Sequence, residues 1–344
     1  MMSNVPNDDE QNLELIHPEI VDESEPWPPQ GPSVGQQGPF AGPRGVFVWQ
    51  GVWPRPPRRE PSEPPKPNWR LHILLFVATC VSTFSVYFVD PTHKTPQLST
   101  MIWYGLCYAV PVMTILLCHE MGHYVQARRY GVYASPPYFI PMPFSPFGTM
   151  GAVIVMGSRI KSRRALFDIG ISGPLAGLVP TFLFLILGLH YSEFTPIIGN
   201  SMRYGEPLLF RFLSTNILGP TPIGHEVWAS PMVLAGWVGL LVTSLNLIPI
   251  GQLDGGHILY ALLRKRAHKI AVFLLFAAFF VTILHLDIYG GWTLLLVLLL
   301  FMGPRHPPTA DDEEPLGTFR TVLGWLTLAF IFIGFTPTPF VFSS

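Results

Sequence analysis

The run HEMGH, His119 to His123, lies near the end of an apolar stretch that extends from about Met101 to Gln126. A stretch of that length is enough to cross a bilayer as a helix. On a helix, residues four apart share a face, so the two imidazoles point the same way with Glu120 beside them. Ionisable groups inside a membrane span are costly, and such residues are usually functional. The spacing is that of a site in which two imidazoles bind zinc and the adjacent glutamate takes a proton from the metal-bound water. This one helix constrains everything around it. The other segments must shield these groups from lipid and supply further ligands.

Composition agrees with a bundle in lipid. Only 12% of the residues are charged and 49% are hydrophobic, whereas soluble domains carry about 25% charged residues. The chain is therefore expected to be an all-α polytopic membrane protein in contact with the bilayer. Its formal net charge of −1 gives no global attraction to nucleic acid. Cys80, Cys107 and Cys118 all fall in apolar runs and match neither a zinc knuckle nor a disulfide framework. The first residues are acidic and polar, so no cleavable signal peptide is visible.

In chain order, residues 1–68 form a separate region, acidic at first and then rich in proline. Such a segment cannot bury enough apolar surface to fold alone and is expected to be disordered. One apolar island, Gly45 to Trp53, reads either as a docking place for an unidentified partner or the membrane surface, or as part of an unstructured tail with a few aromatics. A membrane core, 69–303, follows. Apolar spans are expected at about Leu71–Val89, Met101–Gln126, Leu166–Leu189, Ala229–Ile248, His268–Leu286 and Gly290–Met302, the last being short for a full crossing. Residues 304–344 comprise an acidic linker and a final span, about Phe319–Phe335. The expected total is six to seven spans. Arg and Lys clusters before the first span and after the second place both borders, and the N-terminus, in the cytoplasm.

Residues 134–157 break the helical pattern. SPPYFIPMPFSPF carries five prolines, and GTMGAVIVMG is a short β-branched run bounded by glycines. Non-helical backbone at membrane depth needs protein or a water-filled cavity around it. A small re-entrant β element beside the HEMGH helix is expected. In the third span, GPLAG places Gly173 and Gly177 four apart, a spacing that lets helices approach closely. Residues 190–228 read as an outside loop.

The fourth span ends in NLIPIGQLDGGH, Asn246 to His257, where proline and glycines interrupt the helix around Asp254. His119 lies about 14 Å of helix rise from Arg128, and Asp254 lies at a similar depth from Arg264. Two acidic sites at one depth suggest one centre. Zinc in hydrolases commonly takes three protein ligands and leaves a fourth place for water. His119, His123 and Asp254 supply that set, for one zinc per chain. A dication, the Asp254 carboxylate and an ionised Glu120 sum to zero charge, which lowers the cost of burial. His257 reads as a helix-end residue in a polar pocket, with a supporting place beside the ligands, or a place as a fourth ligand, left open. His72, His93, His190, His225, His285 and His306 are expected at interfaces.

HEMGH on the second span and NLIPIGQLDGG after the fourth resemble the site-2 protease family of intramembrane zinc metalloproteases. PPYFIP, GTMGAVI and GPLAG are similar to its compact, PDZ-less, EGY-like branch. The resemblance covers about residues 100–265. It implies that His119, His123 and Asp254 bind zinc and that Glu120 is the general base. It also implies that Asn246 helps to position substrate or to stabilise the developing oxyanion. The substrates implied are transmembrane proteins, cut within or near the bilayer. A helical substrate must become extended before cleavage, and a strand edge at Thr149, Gly151, Ala152 and Val153 is suited to hold it by strand addition. A membrane metal transporter, or a metal-binding membrane protein without protease activity, is the alternative reading. It too would place histidines and an aspartate in a bundle, but it has no use for Glu120 or for the strand. A bacterial or archaeal cytoplasmic membrane is expected, with the active site nearer the cytoplasmic side.

Overall fold

The computed structural model describes residues 67–88, 97–157, 160–196, 202–228 and 230–342, all within one compact unit, Pro61–Ser344. The expectations for the proline-rich region up to residue 66 and for His93 lie outside the described residues. The helices are α1 (Trp69–Ser85), α2 (Leu98–Arg129), α3 (Arg163–His190), α4 (Leu208–Leu218), α5 (Pro231–Asn246), α6 (Asp254–Leu263), α7 (Arg266–Leu284), α8 (Leu286–Tyr289), α9 (Thr293–Met302), α10 (Thr318–Ala329) and α11 (Ile331–Gly334). The strands are β1 (Tyr138–Pro141), β2 (Thr149–Val153), β3 (Glu193–Pro196), β4 (Met202–Tyr204), β5 (His225–Trp228) and β6 (Phe340–Phe342). Among these, α2, α3 and α7 are long and apolar enough to cross a membrane by length and composition.

Helix starts follow local chemistry. Ser162 accepts from the Ala165 N–H to cap α3, and Ser230 caps α5 in the same way ahead of Pro231. The main core joins α2, α3 and α5, with Tyr108, Val112 and Leu116 packed among Leu185, Leu189, Trp237, Leu240 and Leu241. A second core joins the first half of α3 to α6 through Leu166, Phe167, Ile258, Leu259 and Tyr260, and Leu316 closes it. Large apolar side chains such as Ile73, Leu74, Val77, Phe273, Phe276 and Phe280 are exposed on the outside of α1 and α7, as suits a surface solvated by lipid.

The β element expected near the HEMGH helix is an antiparallel pair, β1 with β2, in which Tyr138 faces Val153 and Phe139 faces Ala152. Its turn is fastened where Tyr108 donates to the Phe147 carbonyl and Ser82 donates to that of Gly148. Its far end packs through Ile154 and Met156 onto the cluster of Ala127, Val132, Ala134 and Ile169. Tyr108 and Ala127 are about 28 Å apart along α2, and Phe147 to Met156 is about 30 Å of extended chain. The strand therefore runs alongside α2 and passes the depth of His119.

Two parts of the chain differ from expectation. Residues 190–228 are not only loop, for they hold α4 and three strands. β3 pairs with β5, and β4 pairs with β6 at the far end of the chain, so the described part is mainly helical rather than purely so. An 11-residue helix such as α4 is decided by packing more than by its own propensity, and a strand partner more than a hundred residues away leaves no local mark. The second difference is the acidic stretch after α9. It does not hang free but lies against α3 and α6.

Candidate metal centre

His119 and His123 stand on the last third of α2, one turn apart, and both are buried. Helix α3 crosses them at its small residues. A Cβ on Gly173 would overlap the His123 imidazole, and one on Gly177 would lie 3.1 Å from the His119 Cβ. The expected close approach is thus a cradle for the two rings. His123 Nδ1 lies 2.8 Å from the carbonyl oxygen of Ile169. A carbonyl only accepts, so Nδ1 carries the proton and Nε2 presents a lone pair to the centre.

Asp254 opens α6, where a carboxylate is favoured by the helix dipole. The loop before it folds back tightly. Gly251 has φ +60°, and side chains at Gly255 or Gly256 would collide with the carbonyls of Leu247 and Gly251. The LDGG run is what lets the chain turn here and bring Asp254 to α2. Asp254 Oδ2 lies 3.1 Å from His119 Nε2, its Oδ1 lies 3.1 Å from His123 Nε2, and the two Nε2 atoms are 3.3 Å apart. Bonds of about 2.0–2.1 Å to zinc imply tetrahedral ligand edges of about 3.3–3.4 Å. Two ring nitrogens 3.3 Å apart, each 3.1 Å from one oxygen of the same carboxylate, fit a zinc ion with small adjustment. Two imidazoles and one carboxylate are also the donor set of catalytic rather than structural zinc. Among the described residues this is the one His, Cys, Asp or Glu group arranged to hold a metal.

Asn246 and Glu120 stand beside that group, whereas the hydrogen bonds of Thr149 and Gly151 lie within the hairpin. Glu120 is buried and, among the described residues, has no hydrogen-bond or ion-pair partner. Asn246, the last residue of α5, brings its amide nitrogen to 3.3 Å from His119 Nε2. Thr149 and Gly151 are turned into the hairpin. The Thr149 hydroxyl donates to the Ile140 carbonyl and accepts from the Gly151 N–H, both at 3.0 Å. Ala152 is half-buried and Val153 exposed. Cys118 is absent from the ligand group. Two histidines assigned to interfaces are instead buried. His72 reaches the Pro137 carbonyl at 3.1 Å, and His306 packs against His257. Apolar flanks concealed the first, and proline-rich sequence the second.

The family model described as peptidase family M50 matches residues 107–284, more than half of the chain. The rice (Oryza sativa subsp. japonica) protein named "Probable zinc metalloprotease EGY1, chloroplastic" is 30% identical over 76% of this chain and 50% of its own length. The Arabidopsis thaliana protein of the same name is 29% identical over 81% of this chain and 56% of its own length. A rice (Oryza sativa subsp. indica) protein named "Probable zinc metalloprotease EGY2, chloroplastic" is 30% identical over 69% of this chain and 44% of its own length. The chain spans about half the length of the curated relatives it matches, and no solved structure matches it. These relatives are chloroplast proteins of plants, which overturns the expectation of a bacterial or archaeal cytoplasmic membrane and of cytoplasmic faces. Charge asymmetry across spans distinguishes two sides of a membrane and cannot say which membrane it is. The match over the region holding His119, His123 and Asp254, with zinc metalloproteases among its relatives, shows that the chain belongs to peptidase family M50, the site-2 proteases, as an EGY-like member.

Proposed function

We propose that the chain is a zinc-dependent intramembrane endopeptidase that holds one zinc between His119, His123 and Asp254 and cuts transmembrane proteins. The observation that supports it most is the cluster of two imidazole Nε2 atoms 3.3 Å apart, each 3.1 Å from an oxygen of Asp254, beside an unpartnered, buried Glu120. Zinc bound there would polarise the scissile carbonyl and lower the pKa of a coordinated water to about 7. The Glu120 carboxylate accepts a proton as water adds to the peptide carbon, and returns it to the nitrogen as the C–N bond breaks. Asn246, beside His119, is placed to hydrogen-bond a substrate carbonyl oxygen as charge develops on it. Backbone groups of Ala152 and Val153 hold the extended substrate, with Thr149 and Gly151 shaping the hairpin that presents them.

In this reading the catalytic core is 69–303, with six to seven spans. Residues 304–344 add support and the last crossing, and 1–68 are dispensable for the chemistry. The test uses purified full chain in detergent with a model single-span substrate. Wild type is expected to carry about one zinc and to cleave, and Glu120→Gln to keep the metal while losing at least about a hundredfold in rate. A zinc-free wild type, or a Glu120→Gln variant cleaving at the wild-type rate, overturns the proposal.

A further inference from the structure

The acidic stretch between α9 and α10 has no part in the chemistry above, yet it touches both helices that frame Asp254. At its start the carbonyl of Gly303 crowds Gly251, where a Cβ would meet it at 2.6 Å. Gly251 belongs to the turn that delivers Asp254. Next comes His306, buried, with Nε2 2.7 Å from Nδ1 of His257, one helical turn beyond Asp254. The His306 ring stacks on Tyr260 at 4.7 Å, and its carbonyl faces His268 Nε2 on α7 at 3.0 Å. Farther along, Tyr260 donates to Asp312 at 2.7 Å, and Arg264 donates to both oxygens of Glu313.

The other edge of the stretch grips α3. Asp311 exchanges backbone hydrogen bonds with Lys161 and Arg163, and Arg164 pairs with Glu314 at 3.1 Å. α3 is the helix that cradles His119 and His123. One strap therefore ties the helix bearing the aspartate to the helix that sets the imidazoles.

The histidine pair has a defined polarity. His306 Nδ1 lies 2.5 Å from the Pro307 carbonyl, so it carries the proton and donates. Nε2 of His306 is then an acceptor, and His257 Nδ1 is the donor. A buried donor needs its acceptor, so the identity of residue 306 bears on how α6 sits. α6 is short, and the turn before it is glycine-rich, so its placement depends on its neighbours.

We propose that His306, acting through His257, is a positioning residue for the metal centre: the Gly303–Gly317 strap sets where α6 holds the Asp254 carboxylate against the two imidazoles. This rests on the zinc-site reading above. Supporting contacts behind metal ligands commonly govern affinity by about 10–100-fold.

Two substitutions separate hydrogen bonding from packing. His306→Phe keeps a ring to stack on Tyr260 but has no acceptor. His306→Gln keeps an acceptor but has no ring. Purified full chains would be compared by zinc affinity in chelator competition, by the absorption bands of the cobalt-substituted site, and by kcat and KM on a model transmembrane substrate. His306→Phe is expected to weaken zinc binding about tenfold, to shift the cobalt bands and to lower kcat more than KM. His306→Gln is expected to recover most of that loss. Wild-type affinity and bands in His306→Phe overturn the proposal, as does a Gln variant impaired as much as the Phe one. Should His306→Phe not fold, Tyr260→Phe removes only the bond to Asp312 and is expected to weaken zinc binding by a smaller factor; unchanged affinity there also overturns it. Failure of the zinc reading would show in the wild type, which would bind no zinc. Failure of the strap's role shows only in the variants.

Discussion

The donor group is held from two sides by different physics. Toward α3 it is held by missing side chains, because Gly173 and Gly177 leave room for the imidazoles and for little else. Toward the strap it is held by polar pairs, from the buried His257–His306 contact to the exposed Arg264–Glu313 pair. A steric cradle between two helices yields only when backbone moves, so it tolerates little change. A polar strap can be weakened by degrees. The difference predicts that equally small substitutions on the two sides have very unequal effects.

The largest effect is expected from Gly173→Ala. Its Cβ would occupy the space of the His123 ring, and a displacement near 1 Å at a catalytic centre can cost about a hundredfold in rate. Zinc affinity and cleavage should both fall. Alanine is the better helix former by about 1 kcal/mol, so a plain effect on helix stability has the opposite sign. Gly177→Ala meets His119 at 3.1 Å, a contact that a shift of a few tenths of an ångström relieves, and should cost far less. The steric side of the comparison breaks if Gly173→Ala binds zinc as wild type does, or if the two variants are equally impaired.

The same contrast explains what was legible in the sequence. HEMGH, LDGG and GPLAG carry their geometry in local spacing: spacing put His119 and His123 on one face, equal depth joined Asp254 to them, and Gly173 and Gly177 marked a close helix approach without saying to what. β2 was legible because Thr149–Val153 is a β-branched run punctuated by glycine. The strap was not. Its prolines and acids have no period, and its partners are far away in sequence, Arg164 lying 151 residues from Pro315, whose carbonyl it reaches. Charge is visible in a sequence, but pairing is not. His306 looked like a loop histidine for this reason, and α4 looked like loop because eleven residues carry too little periodic signal to outweigh their setting.

A second, intermediate effect concerns pH and sharpens the polar side. Burial pushes the His306 imidazole down to about 4, helped by His268 and opposed by the Pro307 carbonyl and Asp312. An unfolded histidine titrates near about 6.5. Between these values the unfolded chain binds more protons, so stability must fall as pH drops. The contribution of His306 to the strap is therefore complete above about 6.5 and is lost progressively toward about 4. Asp312 does not share this window. Burial raises its carboxyl, but hydrogen bonds from Thr309 and Tyr260 and the charge of Arg264 outweigh that and hold it below the usual range. Its contribution disappears only in stronger acid. Thermal unfolding of wild type and His306→Gln from pH 8 to 5 should give parallel curves above 6.5 and a steeper decline of the wild type below. Curves that stay parallel throughout would remove His306 from the acid response.

The smallest effect is expected at the outer edge of the strap. Arg264 meets Glu313 with two hydrogen bonds of 2.8 and 2.9 Å, which looks strong by geometry. The Glu313 side chain is nevertheless 83% exposed and that of Arg264 36% exposed. Water and salt screen such a pair, and the ordering of two long side chains offsets much of the attraction, so it is worth at most about 1 kcal/mol. Glu313→Gln should therefore lower stability slightly, with the difference shrinking as salt is raised, and should leave zinc affinity unchanged. His306→Phe should do the reverse, disturbing the metal centre through a buried contact that salt does not reach. Measuring chelator competition and unfolding at low and high salt on both variants separates the two. If Glu313→Gln weakens zinc binding as much as His306→Phe does, then exposed charge rather than the buried histidine pair holds α6, and the strap acts along its whole length instead of through one ring.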